Sequence, residues 1–250
     1  ARGHAAGAIR VSEPLPESRE ALHRDFGVEV VEGNADAVQG AGTWVLAVKP
    51  QVLRDVCEAL APLAQEARPL VVSIAAGITS TQIEHWLGGG IAIVRCMPNT
   101  PALLGAGVTG LYANARVDAA GRDAAAALLA AAGETVWIDA EALMDAVTAV
   151  SGSGPAYVFL LAEAMQAAAL REGLPADAAR TLVLQTVLGA ARMLTEGDAD
   201  AAGLRKRVTS PGGTTQAAIE SFEADGFREM VGKAIHAATR RGRELSAAND

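Results

Sequence analysis

Residues 70–87 read Leu70-Val71-Val72-Ser73-Ile74-Ala75-Ala76-Gly77-Ile78-Thr79-Ser80-Thr81-Gln82-Ile83-Glu84-His85-Trp86-Leu87. The stretch Leu70-Ala75 is apolar almost throughout, without alternation, as expected of a strand covered on both faces. It passes into Ala75-Ala76-Gly77, where small side chains and a glycine permit a tight turn. A helix over Ser80-Leu87 follows. Outward from this unit the same alternation recurs. Strands are predicted at Ala8-Ser12, Val28-Val31, Thr43-Val48, Ile91-Cys96, Val108-Tyr112 and Thr135-Ile138, with helices at Pro16-Phe26, Gln51-Leu63 and Asp118-Ala132. Such a pattern predicts a doubly wound, mainly parallel α/β sheet. No helix separates Ile91-Cys96 from Val108-Tyr112, so an antiparallel pair is expected there.

The pattern changes near residue 140. From Ala142 onward no segment reads as a strand, and helices are expected at Glu141-Val150, Gly154-Glu172 and from Pro175 to Thr195. A last helix carries Phe227, Met230, Val231, Ala234, Ile235 and Ala238 on one stripe. The organisation expected is therefore α/β over residues 1–140 followed by an all-helical domain over 141–250. Helices so rich in alanine and so strongly striped suit burial against a second subunit, which predicts a homo-oligomer; packing only against the first domain is the alternative.

Composition narrows the function. The net charge is -8 and aromatic residues make up 4% of the 250 residues. Nucleic-acid binding calls for a basic excess and base stacking for aromatic platforms, so neither is expected. Two cysteines, Cys57 and Cys96, are too few for a disulfide framework and read as reduced core residues. No apolar run is long enough to span a membrane, and no metal-ligand spacing occurs among the four histidines. A cytoplasmic location is expected by default. Trp44, Trp86 and Trp137 read as packing residues and His236 as structural, while Glu163 suits a cleft, an ion pair or a solvated face equally.

A dinucleotide-binding sheet normally opens with a strand, a G-x-G-x-x-G turn and a helix. This chain opens Ala1-Arg2-Gly3-His4, with Gly3 placed like the glycine that ends a helix. The reading is that the first strand and its glycine turn lie before residue 1; a complete protein with a smaller sheet is the alternative.

Chemistry concentrates at the strand ends, where ligands of open α/β sheets bind. Ala47-Val48-Lys49-Pro50 closes one strand, and Lys49 there suits either a cofactor contact or an ordinary solvated lysine. Ala75-Ala76-Gly77 lets a flat ring approach the backbone. Met97-Pro98-Asn99-Thr100-Pro101 offers polar groups on a loop fixed by two prolines. The most informative segment is Thr209-Ser210-Pro211-Gly212-Gly213-Thr214-Thr215. A glycine turn entering a helix presents free N–H groups suited to a carboxylate, with Thr214 or Thr215 expected to cap the helix. Three hydroxyls, on Ser210, Thr214 and Thr215, add donors without charge. A plain helix connection would need neither those hydroxyls nor paired glycines.

That segment, with Ala218-Ile219 and Phe222-Glu223 after it, resembles the signature of pyrroline-5-carboxylate reductases. Ala47-Val48-Lys49-Pro50, Ala75-Ala76-Gly77, Met97-Pro98-Asn99-Thr100-Pro101 and Ser151-Gly152-Ser153-Gly154-Pro155-Ala156-Tyr157 fit the same family in order. The resemblance extends from about Ile9 to Gly242 and departs only at the opening glycine turn. It implies a Rossmann-like domain that binds NADPH or NADH, a helical domain that forms a homodimer able to assemble further, and reduction of 1-pyrroline-5-carboxylate to L-proline, the last step of proline biosynthesis. Ser210 and the backbone of Gly213 and Thr214 would then hold the substrate carboxylate, and Thr215 the ring nitrogen as the catalytic residue. Asn34, Ala47, Val48, Lys49, Pro50, Ala76 and Asn99 would line the cofactor side.

Cofactor choice depends on the residues ending the strand Ala8-Ser12. Ser12 with Arg10 or Arg19 suits a 2'-phosphate, whereas Glu13 suits a free 2'-hydroxyl; the balance favours NADPH, with NADH possible. The rival readings are a non-catalytic dimeric remnant lacking the cofactor turn, and a related imine reductase or β-hydroxyacid dehydrogenase. A dehydrogenase of that kind would need a lysine base, and none follows Ser151-Pro155 at helical spacing.

Overall fold

A computed structural model describes residues 4–247. Gly3, expected to end a helix, lies outside the described residues. One compact unit runs through Ser153 and takes in the chain again from Ala238; a second comprises Gly154–Ala237.

Among the described residues the first unit contains seven strands in two sheets. β1 (Arg10–Ser12) pairs in parallel with β2 (Glu29–Val31). The larger sheet has the order β3-β4-β5-β6-β7, from β3 (Thr43–Leu46), β4 (Leu70–Ser73), β5 (Ala92–Met97), β6 (Gly107–Ala113) and β7 (Gly133–Trp137). Every pairing in it is parallel except β5 with β6, the pair expected to be antiparallel, whose connection carries only a 3-10 helix at Thr100–Leu104. No ladder joins β1 to β3, so the single sheet expected from the alternation is divided.

Helices connect the strands: α1 (Pro16–Phe26), α2 (Asn34–Val38), α3 (Pro50–Ala67), α4 (Ser80–Trp86) and α5 (Ala119–Leu129). The apolar runs are continuous because the larger sheet has two cores. On one face Trp44, Leu46, Val71 and Ile93 meet Leu53, Cys57 and Leu60 of α3 and Ile83 and Trp86 of α4. On the other, Val72, Val94, Cys96 and Leu111 meet Ala125 of α5. Burying one such side chain contributes about 1.5–3 kcal/mol. Local signals fix the ends. Thr79 accepts from the Gln82 N–H while the Gln82 side chain accepts from the Thr79 N–H, a reciprocal cap on α4. Gly27 ends α1 at φ 66°.

The segment expected as one helix at Glu141-Val150 is instead three turns of different pitch. A 3-10 turn over Glu141–Leu143 leads into α6 (Met144–Val147), and a π turn spans Thr148–Gly152. Close packing accounts for the irregularity: a Cβ on Gly110 would overlap the Val147 side chain, and one on Gly152 would stand 2.6 Å from Met97 Cε.

In the second unit α7 (Gly154–Arg171) and α8 (Ala176–Glu196) follow the expected bounds to within a residue or two. α9 (Ala201–Arg207) and α10 (Thr214–Ala224) complete it, and α11 (Phe227–Ala247) begins there and ends in the first unit. Phe159, Leu160, Leu188, Met193 and Met230 are each more than half exposed. Among the described residues no helix is long and apolar enough to cross a membrane.

Cys57 on α3 and Cys96 on β5 are free and buried. Burial pushes both thiols up to about 12, with the charge of Glu58 adding to the effect at Cys57. The thiolate is the reactive form, so iodoacetamide at pH 8 should leave both unmodified in the folded protein. Mass spectrometry should find two adducts only after denaturation; modification at native conditions would show these cores to be open.

Candidate active site

The carboxyl ends of the parallel strands carry the polar and small residues singled out above. In the smaller sheet β1 ends at Ser12, whose hydroxyl donates to the Glu32 carbonyl at 3.3 Å. Glu13 follows; its carboxylate accepts from the Leu15 N–H at 2.9 Å, and its carbonyl accepts from the Arg19 guanidinium at 2.9 Å. Arg19 also reaches the Pro14 carbonyl at 2.7 Å and Glu32 at 3.6 Å. Arg10 is turned to other work: it bonds the Asp36 and Gln39 carbonyls and pairs with Glu29 at 2.9 Å. Beyond β2, Gly33 is the N-cap and Asn34 the exposed first residue of α2.

Three further turns share the edge of the larger sheet. After β3, Ala47 is exposed, Val48 is half-buried against the core, and Lys49 is the exposed N-cap of α3. Pro50 occupies the first helical position, where its missing N–H costs nothing. After β4 the Ala75 N–H bonds Ser73 Oγ at 3.3 Å, and Gly77 adopts φ +73°. Ala75 and Gly77 are buried while Ala76 faces out, a low wall of the kind a flat ring needs. After β5 the Asn99 side chain accepts from the Val108 N–H at 3.0 Å and donates to the Ser151 carbonyl at 3.1 Å. Asn99 therefore fastens its own loop to β6 and to the π turn.

In the second unit residues 209–213 connect α9 to α10. Thr209 Oγ1 donates to the Arg205 carbonyl at 2.6 Å, and Gly212 takes φ +68°. The expected threonine cap is not formed. Gly213 is the N-cap, Thr214 and Thr215 are the first two helical residues, and no side chain caps the helix. The Gly213 N–H bonds the Ser210 carbonyl at 3.0 Å and the Gly212 N–H bonds Gln216 Oε1 at 2.7 Å. Gly213 is thus not a free donor; the open N–H groups begin at Thr214, where a helix has no internal acceptor. Ser210 and Thr214 are exposed and Thr215 half-buried. Behind the loop, hydrogen bonding by Arg228 holds the Glu223 carboxyl below its ordinary value, with Arg205 also nearby.

Comparison with known proteins gives the family. A family model described as pyrroline-5-carboxylate reductase dimerisation matches residues 141–245, and one described as NADP oxidoreductase, coenzyme F420-dependent, matches 1–77. The pyrroline-5-carboxylate reductase of Pseudomonas aeruginosa is 53% identical over 246 residues, covering 98% of this chain and 90% of that protein. The chain belongs to the pyrroline-5-carboxylate reductase family. The Synechocystis reductase is 44% identical, covering 97% of this chain and 89% of its own. Among solved structures, the Coxiella burnetii reductase aligns with a TM-score of 0.94 at 42% identity, covering 98% of this chain and 90% of that one. The Plasmodium falciparum enzyme, solved with NADP bound, aligns at 0.78 and 30% identity, covering 88% and 82%. This is an NAD(P)H-dependent oxidoreductase family, and the chain carries its dimerisation domain.

Sequence reasoning missed one cluster in the first unit. Arg95, in the middle of β5, is 4% exposed and faces Glu141 at 3.5 Å and Asp145 at 3.8 Å. Glu141 also accepts from the Ser80 N–H at 2.6 Å and the Ser80 hydroxyl at 2.7 Å. The available signal was a charge within the apolar run Ile91-Cys96, which calls for a buried partner.

Asn99→Ala would leave the Val108 N–H and the Ser151 carbonyl without their partner. The expected loss is about 1–3 kcal/mol of stability, measured by urea denaturation. An unchanged midpoint would mean the loop is held by other contacts.

Proposed function

We propose that this chain reduces 1-pyrroline-5-carboxylate to L-proline, with the helix entrance after Gly213 holding the substrate and the strand ends of the first unit holding the dinucleotide. The observation that carries the substrate half is the uncapped start of α10. Open backbone donors from Thr214 on, the positive end of the helix dipole and the Ser210 hydroxyl suit a carboxylate without demanding a buried cation. Gly213 contributes by shaping the turn, and Thr214 by its N–H. Thr215, one residue further into the helix and half-buried, is assigned to the ring nitrogen.

The dinucleotide half rests on Ser12, Asn34, Ala47, Val48, Lys49, Pro50, Ala76 and Asn99. The outward Ala76 beside Gly77 at φ +73° fits the approach of a flat ring, and the exposed Lys49 can meet a phosphate or ribose. When bound, a reduced nicotinamide supplies the hydride for the imine carbon. The residues have a simpler task. Ser210 and the Thr214 backbone fix the acid end, and Thr215 orients the nitrogen and relays a proton to it from water. A protonated imine is already a good hydride acceptor, so placement supplies most of the rate and no strong acid is required.

NADPH is the preferred form in this reading. Ser12 and Arg19 flank the turn after β1, and Arg19 keeps part of its guanidinium accessible, with its side chain 23% exposed. Glu13 engages the Leu15 N–H, which draws its carboxylate away from a free 2'-hydroxyl. The acting form is assigned as a homodimer, since the half-exposed apolar side chains of α7, α8 and α11 suit a second copy. A cytoplasmic location accords with two free thiols.

Steady-state assays with 1-pyrroline-5-carboxylate test the assignment. Thr215→Ala is expected to lower kcat by roughly tenfold or more, the range of lost proton transfer and orientation; turnover within threefold of the parent removes the role. The same assay with both cofactors should give the higher kcat/KM with NADPH, and a preference for NADH would shift the assignment to Glu13.

A further inference from the structure

The last turns of α11 return to the first unit and meet three of its parts. At Gly242 a Cβ would lie 3.2 Å from both Cβ and Oδ1 of Asp145, so a larger residue there would require the Asp145 side chain to give by a few tenths of an ångström. One turn on, the Ser246 hydroxyl donates to Asp145 Oδ1 at 3.4 Å, and Gln82 Nε2 donates to the Ser246 carbonyl at 3.5 Å. Between them Leu245 lies beside the turn after β4: a Cβ built on Gly77 would be in ordinary contact with Leu245 Cβ, at 3.6 Å. Asp145 is itself held from behind by Arg95.

The turn so supported is Ala75–Gly77, the one whose low wall was assigned to the flat ring of the cofactor. A glycine at φ +73° is free to move unless its surroundings hold it, and here the surroundings are a helix end fastened at two points. Close-packed contacts of this kind transmit displacements of a few tenths of an ångström rather than absorbing them.

We propose that Gly242, Ser246 and Asp145 form a clasp that positions the Ala75–Gly77 turn and thereby sets the affinity for the dinucleotide. The clasp residues act in this proposal through the turn they support, as positioning residues. The inference rests on the reading that Ala75–Gly77 lines the cofactor.

The test uses the full chain with Gly242→Ala, Ser246→Ala and Ser246→Thr. NADPH affinity is measured without substrate, by fluorescence titration, beside KM for each substrate, kcat and Tm. Gly242→Ala improves local helix propensity, so its Tm should hold while it pushes Asp145. It is expected to weaken NADPH binding by roughly fivefold to tenfold, with KM for the imine changed less than about twofold, because the displacement is confined to one turn. Ser246→Ala should weaken NADPH binding in the same direction and Ser246→Thr should restore it. Wild-type affinity for NADPH in both Gly242→Ala and Ser246→Ala overturns the clasp, as does a loss spread equally over both KM values and Tm, which a purely structural role would give. A parent chain that neither binds NADPH nor reduces the imine overturns the functional reading and the clasp together. A working parent with normally binding variants overturns the clasp alone.

Discussion

A guanidinium buried in the middle of a parallel sheet has to be met by charge from elsewhere in the chain. Arg95 is 4% exposed, and an unpaired ion there would cost several kcal/mol. Its partners, Glu141 and Asp145, come from the segment after β7. At 3.5 and 3.8 Å these contacts are longer than tight charge-assisted hydrogen bonds, so Ser80 and Ser246 complete the satisfaction of the carboxylates. Glu141 thereby also receives the N-terminus of α4, where its negative charge complements the positive end of the helix dipole. Three distant stretches of chain converge on this one residue of β5: the start of α4, the 141–145 turns and the end of α11.

That convergence explains why the chain divides as it does. The dimerisation-family match begins at 141, yet residues up to Ser153 belong to the sheet unit, and so does α11 from Ala238 onward. A boundary drawn where strands give way to helices misses this, because a helix can serve either unit. What places a residue in the first unit is the polar cluster around Arg95 and the close packing at Gly110, Gly152 and Gly242.

The two halves of the proposed site use different physics. The strand ends present small side chains and backbone, where a ring and phosphates need room and donors. The entrance to α10 presents neutral donors, which hold an acid without the desolvation cost of a buried cation. Neither arrangement needs a side chain with a shifted pKa, and the two thiols that burial pushes up to about 12, Cys57 and Cys96, are sealed in the two cores.

The sequence by itself determined the strands of the sheet unit and its longer helices, because continuous apolar runs and helix-start residues such as Pro50 are local signals with a range of a few residues. Even the antiparallel turn-back of β6 was legible, from a connection without the α-helix that a parallel crossover needs. The glycine turn that opens α10 was legible too, since paired glycines mark a turn within a short span. α2 and α9 were not, being too short for a helical period to register. The tertiary structure decided what depends on long-range closeness: that Gly213, not a threonine, stands at the head of α10; that the Asn99 amide fastens β6 and Ser151; that Arg95 finds its carboxylates 46 and 50 residues away. Local pattern carries information about backbone propensity, whereas the pairing of a buried charge or the use of a donor is fixed only when the chain has folded around it.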